Sequence, residues 1–74
     1  KEVYMPYILI QITKENASIQ QKQQLIQEAT ELVVRVLDKD PATTFVVIDE
    51  VETDNWGVAG ETVSAIRKRQ SWST

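Results

Sequence analysis

One run constrains this chain more than any other: Tyr7-Ile8-Leu9-Ile10-Gln11-Ile12-Thr13, entered through Met5-Pro6. As a strand it turns Ile8, Ile10 and Ile12 to one face and Tyr7, Leu9 and Gln11 to the other. One face is strongly apolar and the other is half apolar, so the strand needs cover on two sides. Residues 44–51 form a second run rich in β-branched side chains and read as another strand.

Between the runs lies a helix. Ser18-Ile19-Gln20-Gln21 has the capping-box pattern, with Ser18 as N-cap and Gln21 as its reciprocal partner. Leu25, Ile26, Ala29, Leu32, Val33, Val36 and Leu37 then recur at i, i+1, i+4, i+7, i+8, i+11 and i+12, a single stripe of helical period reaching about residue 37. Asp38-Lys39-Asp40-Pro41 ends it, because a proline disfavours helix in the residue before it. Strand, helix, strand makes a βαβ unit with parallel strands and a right-handed crossover. The fold class is α/β (α+β).

A parallel sheet is normally buried on both faces, and one helix covers only one. At 74 residues, without a cysteine to bridge or a histidine to bind metal, the chain lacks the usual staples of small domains. Patterning and size therefore both point to a homo-oligomer. Net charge is −3, which argues against a nucleic-acid partner. No apolar run has membrane-spanning length, and a cytoplasmic setting is the default expectation.

The rest of the chain is less regular. The two glycines sit in Trp56-Gly57-Val58-Ala59-Gly60, preceded by Asp54-Asn55, and predict a turn or short hairpin with backbone at positive φ or in close approach. Residues 62–69 are expected to form a terminal helical turn or arm, and residues 70–74 a polar tail around Trp72. Residues 1–5 read as a leader in which Met5 is the original start; the domain proper spans 6–69.

Without thiol or imidazole, catalysis must fall to carboxylates, Lys, Tyr, hydroxyls or a terminal amine. Pro6 is either the first residue of a strand or, once Met5 is removed, an amino-terminal secondary amine. A free α-amine titrates at about 7.7–8.0, and burial lowers this further, giving a base poised near neutrality. Trp56 is either a packing residue or the aromatic wall of a pocket. Lys14 and the run Arg67-Lys68-Arg69 are either a solvated face or a means of holding a carboxylate, for which arginine is geometrically suited. The carboxylates show no pairing diagnostic of acid–base work.

Met5-Pro6 before an apolar strand, Ser18 to Ile26 with Gln21-Lys22 and Leu25-Ile26, Leu37-Asp38, the strand at 46–50, and Trp56-Gly57-Val58-Ala59-Gly60-Glu61 together resemble the 4-oxalocrotonate tautomerase family, over nearly the whole chain to about Arg69. Within it the chain is most similar to the subgroup of the tautomerase called DmpI. The resemblance implies a βαβ protomer with a C-terminal hairpin, assembled as a dimer or as a hexamer built from three dimers. It implies Pro6 as general base, moving a proton between oxygen and carbon of a small carboxylate-bearing enol or keto acid, with no cofactor and no metal. Trp56 falls where the family has a pocket aromatic, usually Phe. The family's carboxylate-binding arginines have no counterpart at the matching places, which are Asn16-Ala17 and Phe45; Phe45 is still expected to line the substrate site with Trp56, Lys14 is the expected stand-in, and Arg67 could reach in from a neighbouring copy. With residues 1–5 attached, Pro6 is an amide with no basic amine, so the chemistry requires a chain beginning at Pro6. The rival expectation is a non-catalytic oligomeric ligand-binding or assembly module on the same scaffold.

Overall fold

The computed structural model describes the backbone of residues 5–72 and the side chains of residues 5–70. The expectations for residues 1–4, for the Trp72 side chain and for residues 73–74 lie outside what is described, while residues 70–72, expected as part of a polar tail, continue the last helix. The elements are β1 (Tyr7–Thr13), α1 (Ile19–Leu37), a 3-10 turn (Pro41–Thr43), β2 (Phe45–Val51), a second 3-10 turn (Thr53–Asn55), β3 (Gly57–Val58), β4 (Glu61–Thr62) and α2 (Val63–Trp72). β1 and β2 pair in parallel, from Tyr7 opposite Phe45 to Thr13 opposite Val51. The βαβ unit and the small hairpin expected from the sequence are both present.

Helix α1 starts where its capping residues dictate. The Gln21 amide N–H donates to Ser18 Oγ at 3.0 Å, and the Ser18 N–H donates to Gln21 Oε1 at 2.9 Å. It ends at Leu37, where the apolar stripe placed its end. Asp38, at φ 55, adopts the left-handed conformation and terminates the helix. Pro41 instead opens the following 3-10 turn, capped by Asp40. Proline is suited to that first position, since its fixed φ matches and the missing N–H would be unpaired there anyway.

The register puts Ile8, Ile10 and Ile12 beside Val46, Ile48 and Glu50 on the face under α1, all half-buried. Lys22 reaches down from the helix to Glu50, Nζ to Oε1 2.6 Å. The opposite face stays open: Tyr7 is 62% exposed, Phe45 51%, Leu9 47% and Val47 42%. At its far end Gln11 Nε2 donates to Asp49 Oδ2 at 2.9 Å.

The apolar stripe of α1 is only partly used. Ile26, Ala29 and Val33 are half-buried, with Lys22, Thr30 and Val34, while Leu25, Leu32, Val36 and Leu37 are exposed. Width explains this. Two strands lie about 4.8 Å apart, whereas a helix with its side chains is about 10 Å across, so part of the stripe overhangs the sheet. Among the described residues only Val63 is fully buried. The radius of gyration is 16.6 Å, against about 11 Å for a compact domain of this length.

The C-terminal part forms its own small unit. β3 and β4 are joined by Ala59 (φ 52) and Gly60 (φ 84), two consecutive left-handed residues, as a two-residue hairpin of the tight primed type requires. Gly60 therefore has the backbone conformation predicted for it. Gly57 has neither a positive φ nor a close neighbour; a Cβ there would stand 3.7 Å from the Glu61 carbonyl oxygen, an ordinary contact. The Val63 N–H donates to the Trp56 carbonyl at 2.8 Å, and Thr62 Oγ1 accepts from the Ala65 N–H at 3.1 Å, capping α2. Arg69 pairs with Glu61 and joins helix to hairpin.

Two ion pairs tie this unit to the βαβ unit. Lys14 Nζ lies 3.2 Å from Glu52 Oε2. Arg67 takes Glu15 with both edges of a fork, Nε to Oε1 2.7 Å and Nη2 to Oε2 3.2 Å. The hydrogen bond from Arg67, reinforced by one from the Thr13 hydroxyl, holds the Glu15 carboxyl down at about 2. A depressed carboxyl favours the folded contact above its ordinary range, and that advantage is lost as pH falls through the folded value.

Two outcomes follow from these contacts. Ser18→Ala should lower stability by about 1 kcal/mol in urea unfolding, because it leaves a helix-end N–H unpaired. In an NMR acid titration the Glu15 carboxyl should titrate near 2, and in Arg67→Met it should return toward the ordinary glutamate value of about 4.3.

Candidate functional site

Pro6 stands at the head of β1, half-buried, with Met5 exposed in front of it. Its carbonyl accepts the Phe45 N–H at 2.9 Å. Proline has no N–H to give a ladder, so the first position of a strand is where it can sit without loss. Phe45, the first residue of β2, is therefore its immediate neighbour, on the open apolar face. Two of the sequence-predicted site residues, Pro6 and Phe45, are brought together here.

Trp56 and Lys14 are at the other end of the sheet. Trp56 ends the 3-10 turn after β2 and lines a cavity of about 480 Å³ with Gln11, Ile12, Thr13, Val58, Val63, Ile66 and Arg67. It also borders a smaller recess of about 270 Å³ beside Gln11, Val51, Asn55 and Gly57. From Pro6 to the stretch Gln11–Thr13 is five to seven strand residues, about 16–23 Å at 3.3 Å per residue. Within one protomer Pro6 and Trp56 cannot touch the same small molecule.

Lys14 lies at the exit of β1, its N–H donating to the Val51 carbonyl at 2.7 Å. Its ammonium is committed to Glu52. The structure thus gives Lys14 a carboxylate partner of its own and leaves Asn16, with φ 70, as the turn residue of the β1–α1 connection.

The cavity beside Trp56 has the make-up of a small-molecule site: apolar walls from Ile12, Trp56, Val58, Val63 and Ile66, and a polar rim from Gln11, Thr13 and Arg67. Gln11 and Thr13 were not among the candidates read from the sequence. Gln11 could have been singled out, since it is the polar interruption of an otherwise apolar strand face. Arg67 sits in a charge run whose ordinary reading is a solvated face, and only the fold of α2 back toward β1 turns it to the cavity. Its guanidinium pKa is raised by the Glu15 hydrogen bonds and charge, so it is a permanent cation.

Other recesses run along α1: about 320 Å³ beside Ala17, Gln21 and Leu25, and about 630 Å³ beside Ile10, Leu25 and Leu32. They are open and coincide with the overhanging part of the helix stripe. Among the described residues no three Asp or Glu side chains gather as a metal ion would need. No helix among them is long and apolar enough to cross a membrane.

Known proteins agree with this architecture. The family model described as tautomerase enzyme matches residues 6–66, beginning at Pro6. A probable tautomerase of Dickeya dadantii, K2, is 54% identical over 67 residues, covering 90% of this chain and 100% of its own. The 2-hydroxymuconate tautomerase of Pseudomonas putida is 36% identical over 64 residues, covering 86% and 100%. The crystal structure of DmpI from Helicobacter pylori superposes with a TM-score of 0.76 at 44% identity, covering 81% of this chain and 98% of that one. A parallel βαβ unit with a tight C-terminal hairpin, matched along nearly its whole length by these proteins, settles the kinship: the chain belongs to the tautomerase family, close to its 4-oxalocrotonate tautomerase-like members.

Proposed function

We propose that this protein interconverts the enol and keto forms of a small 2-hydroxydienoate or 2-keto acid, with Pro6 as general base once it is the amino terminus. The observation that carries the reading is the setting of Pro6: half-buried at the head of an apolar strand, at the first residue of the family match, in a chain with no histidine and no cysteine. A secondary amine there takes the proton from the enol hydroxyl as the O–H bond breaks. The negative charge spreads over the dienolate, and the same nitrogen returns the proton to carbon as the new C–H bond forms. The reaction is an isomerisation, with no net loss of protons or electrons. The 2-hydroxymuconate tautomerase relative supports the substrate class.

The working enzyme is a homo-oligomer, a dimer or three dimers forming a hexamer, in the cytoplasm. Two copies related by a twofold axis, with their β1 strands antiparallel, bring the Pro6 end of one to the Trp56 end of the other. The site is then shared: Pro6 and the wall of Phe45 from one copy, and the wall of Trp56 from the second. Lys14 stands near the substrate carboxylate as a secondary contact, since Glu52 already holds it. The open face of Tyr7, Leu9, Phe45 and Val47 supplies the apolar surface for such pairing. Developing enolate charge calls for a donor, and backbone N–H groups near Thr13 are at hand.

Kinetics of ketonisation decide the matter. A chain beginning at Pro6 should convert 2-hydroxymuconate and phenylenolpyruvate. Pro6→Ala should lower kcat by about 10²–10⁴, the usual worth of a positioned base, and so should any residue retained ahead of Pro6. The rate should rise with pH through a midpoint below about 7.7, where the amine loses its proton. Equal rates for Pro6→Ala would remove Pro6 from catalysis, and no turnover by a chain beginning at Pro6 would favour a non-catalytic assembly module.

A further inference from the structure

We propose that Arg67 is the carboxylate-binding residue of the Trp56 cavity, and that Glu15 is the residue that positions it. The nature of the ligand, a small enol or keto acid, rests on the tautomerase reading; the binding site itself rests on geometry.

An anionic substrate entering a protein of net charge −3 needs a cation where it docks. The lysines and arginines that form ion pairs around the site each have their place. Lys14 is held by Glu52, and Lys22 by Glu50 under the helix. Arg69 is held by Glu61 on the hairpin. None of these three lines the Trp56 cavity, whereas Arg67 does.

Arg67 is also paired, but its pairing leaves capacity. A guanidinium has five N–H donors in a planar fork. Nε and one hydrogen of Nη2 go to Glu15, and one hydrogen of Nη1 goes to Gln70 Oε1 at 3.2 Å. Two donors remain, one on each Nη, which is what a bidentate carboxylate takes. The side chain is about half exposed, so a ligand can reach it. The Thr13 hydroxyl donates to Glu15, anchoring that carboxylate to the end of β1, while Thr13 also lines the cavity. The chain Thr13–Glu15–Arg67 thus fixes a cation at the rim of an apolar cavity whose wall is Trp56. A lysine would offer a point charge without the fork.

The test uses a chain beginning at Pro6 with Trp72→Phe, so that Trp56 is the sole tryptophan. cis,cis-Muconate, a dicarboxylate without the reactive hydroxyl, is titrated against Trp56 fluorescence. Its uncharged dimethyl ester serves as the probe for cavity integrity. Arg67→Met should weaken muconate binding at least tenfold and leave binding of the dimethyl ester within twofold. It should raise the KM for 2-hydroxymuconate by a similar factor while kcat changes less than threefold. Arg67→Lys should restore part of the loss. Glu15→Gln should weaken muconate binding severalfold; tighter binding would show that Glu15 competes for the guanidinium rather than positioning it.

Unchanged muconate binding in Arg67→Met overturns the proposal, as does equal loss of acid and ester, which would mark Arg67 as structural only. Pro6→Ala separates this inference from the function. Arg67-dependent muconate binding without any Pro6-dependent turnover would refute the catalytic reading and leave this one standing. Pro6-dependent turnover with KM indifferent to Arg67 would do the reverse.

Discussion

Everything in this structure depends on a mismatch of width: a sheet of two parallel strands lies under a single helix. The helix is broader than the sheet, so Leu25, Leu32 and Val36 overhang it. The sheet has two apolar faces, and the helix reaches only the one carrying Ile8, Ile10, Val46 and Ile48. Burial of apolar surface contributes about 25 cal/mol per Å², and an isolated protomer forgoes much of it. With Val63 alone fully buried among the described residues, the protomer resembles part of a core more than a whole one. Along the same sheet Pro6 precedes β1, while Trp56 borders the cavity at its far end.

The hairpin and α2 answer a second need. They place Trp56 and Arg67 beside the end of β1, and they are fastened there largely by Lys14–Glu52 and Arg67–Glu15. Exposed ion pairs of this kind are worth little individually and are screened by salt. The bidentate geometry of Arg67 and the shared hydrogen bond from Thr13 make the second pair the better defined of the two. A ligand or a neighbouring copy that seats on this unit would add to its hold on the βαβ unit.

Much of the fold was legible in residue order. The capping box at Ser18 and Gln21 marked the helix start to the residue, and the alternation in Tyr7 to Ile12 marked both faces of β1. Gly60 announced its turn by being a rare glycine after Asp54 and Asn55. Other features were not legible. The end of the helix at Leu37 was legible, but its cause was not: Asp38 closes it in the left-handed conformation, and Pro41 opens the next turn. The helix stripe overstated burial, because periodicity reports which side is apolar and not how wide its partner is. Lys14 looked available as a cation until the fold of residues 51–56 brought Glu52 to it. Arg67 looked like one charge in a run until α2 folded back to the cavity.

The central claim is that the face of Tyr7, Leu9, Phe45 and Val47 is completed by a second copy of the chain. Sedimentation equilibrium at micromolar concentration, with and without Leu9→Glu, tests it most directly. Leu9 is about half exposed in the protomer, so the substitution costs little to an isolated chain. A multiple of the protomer mass is expected for the parent chain, and dissociation with loss of helical circular dichroism for Leu9→Glu. A stably folded monomer in the parent, or an unaltered assembly in Leu9→Glu, would contradict it.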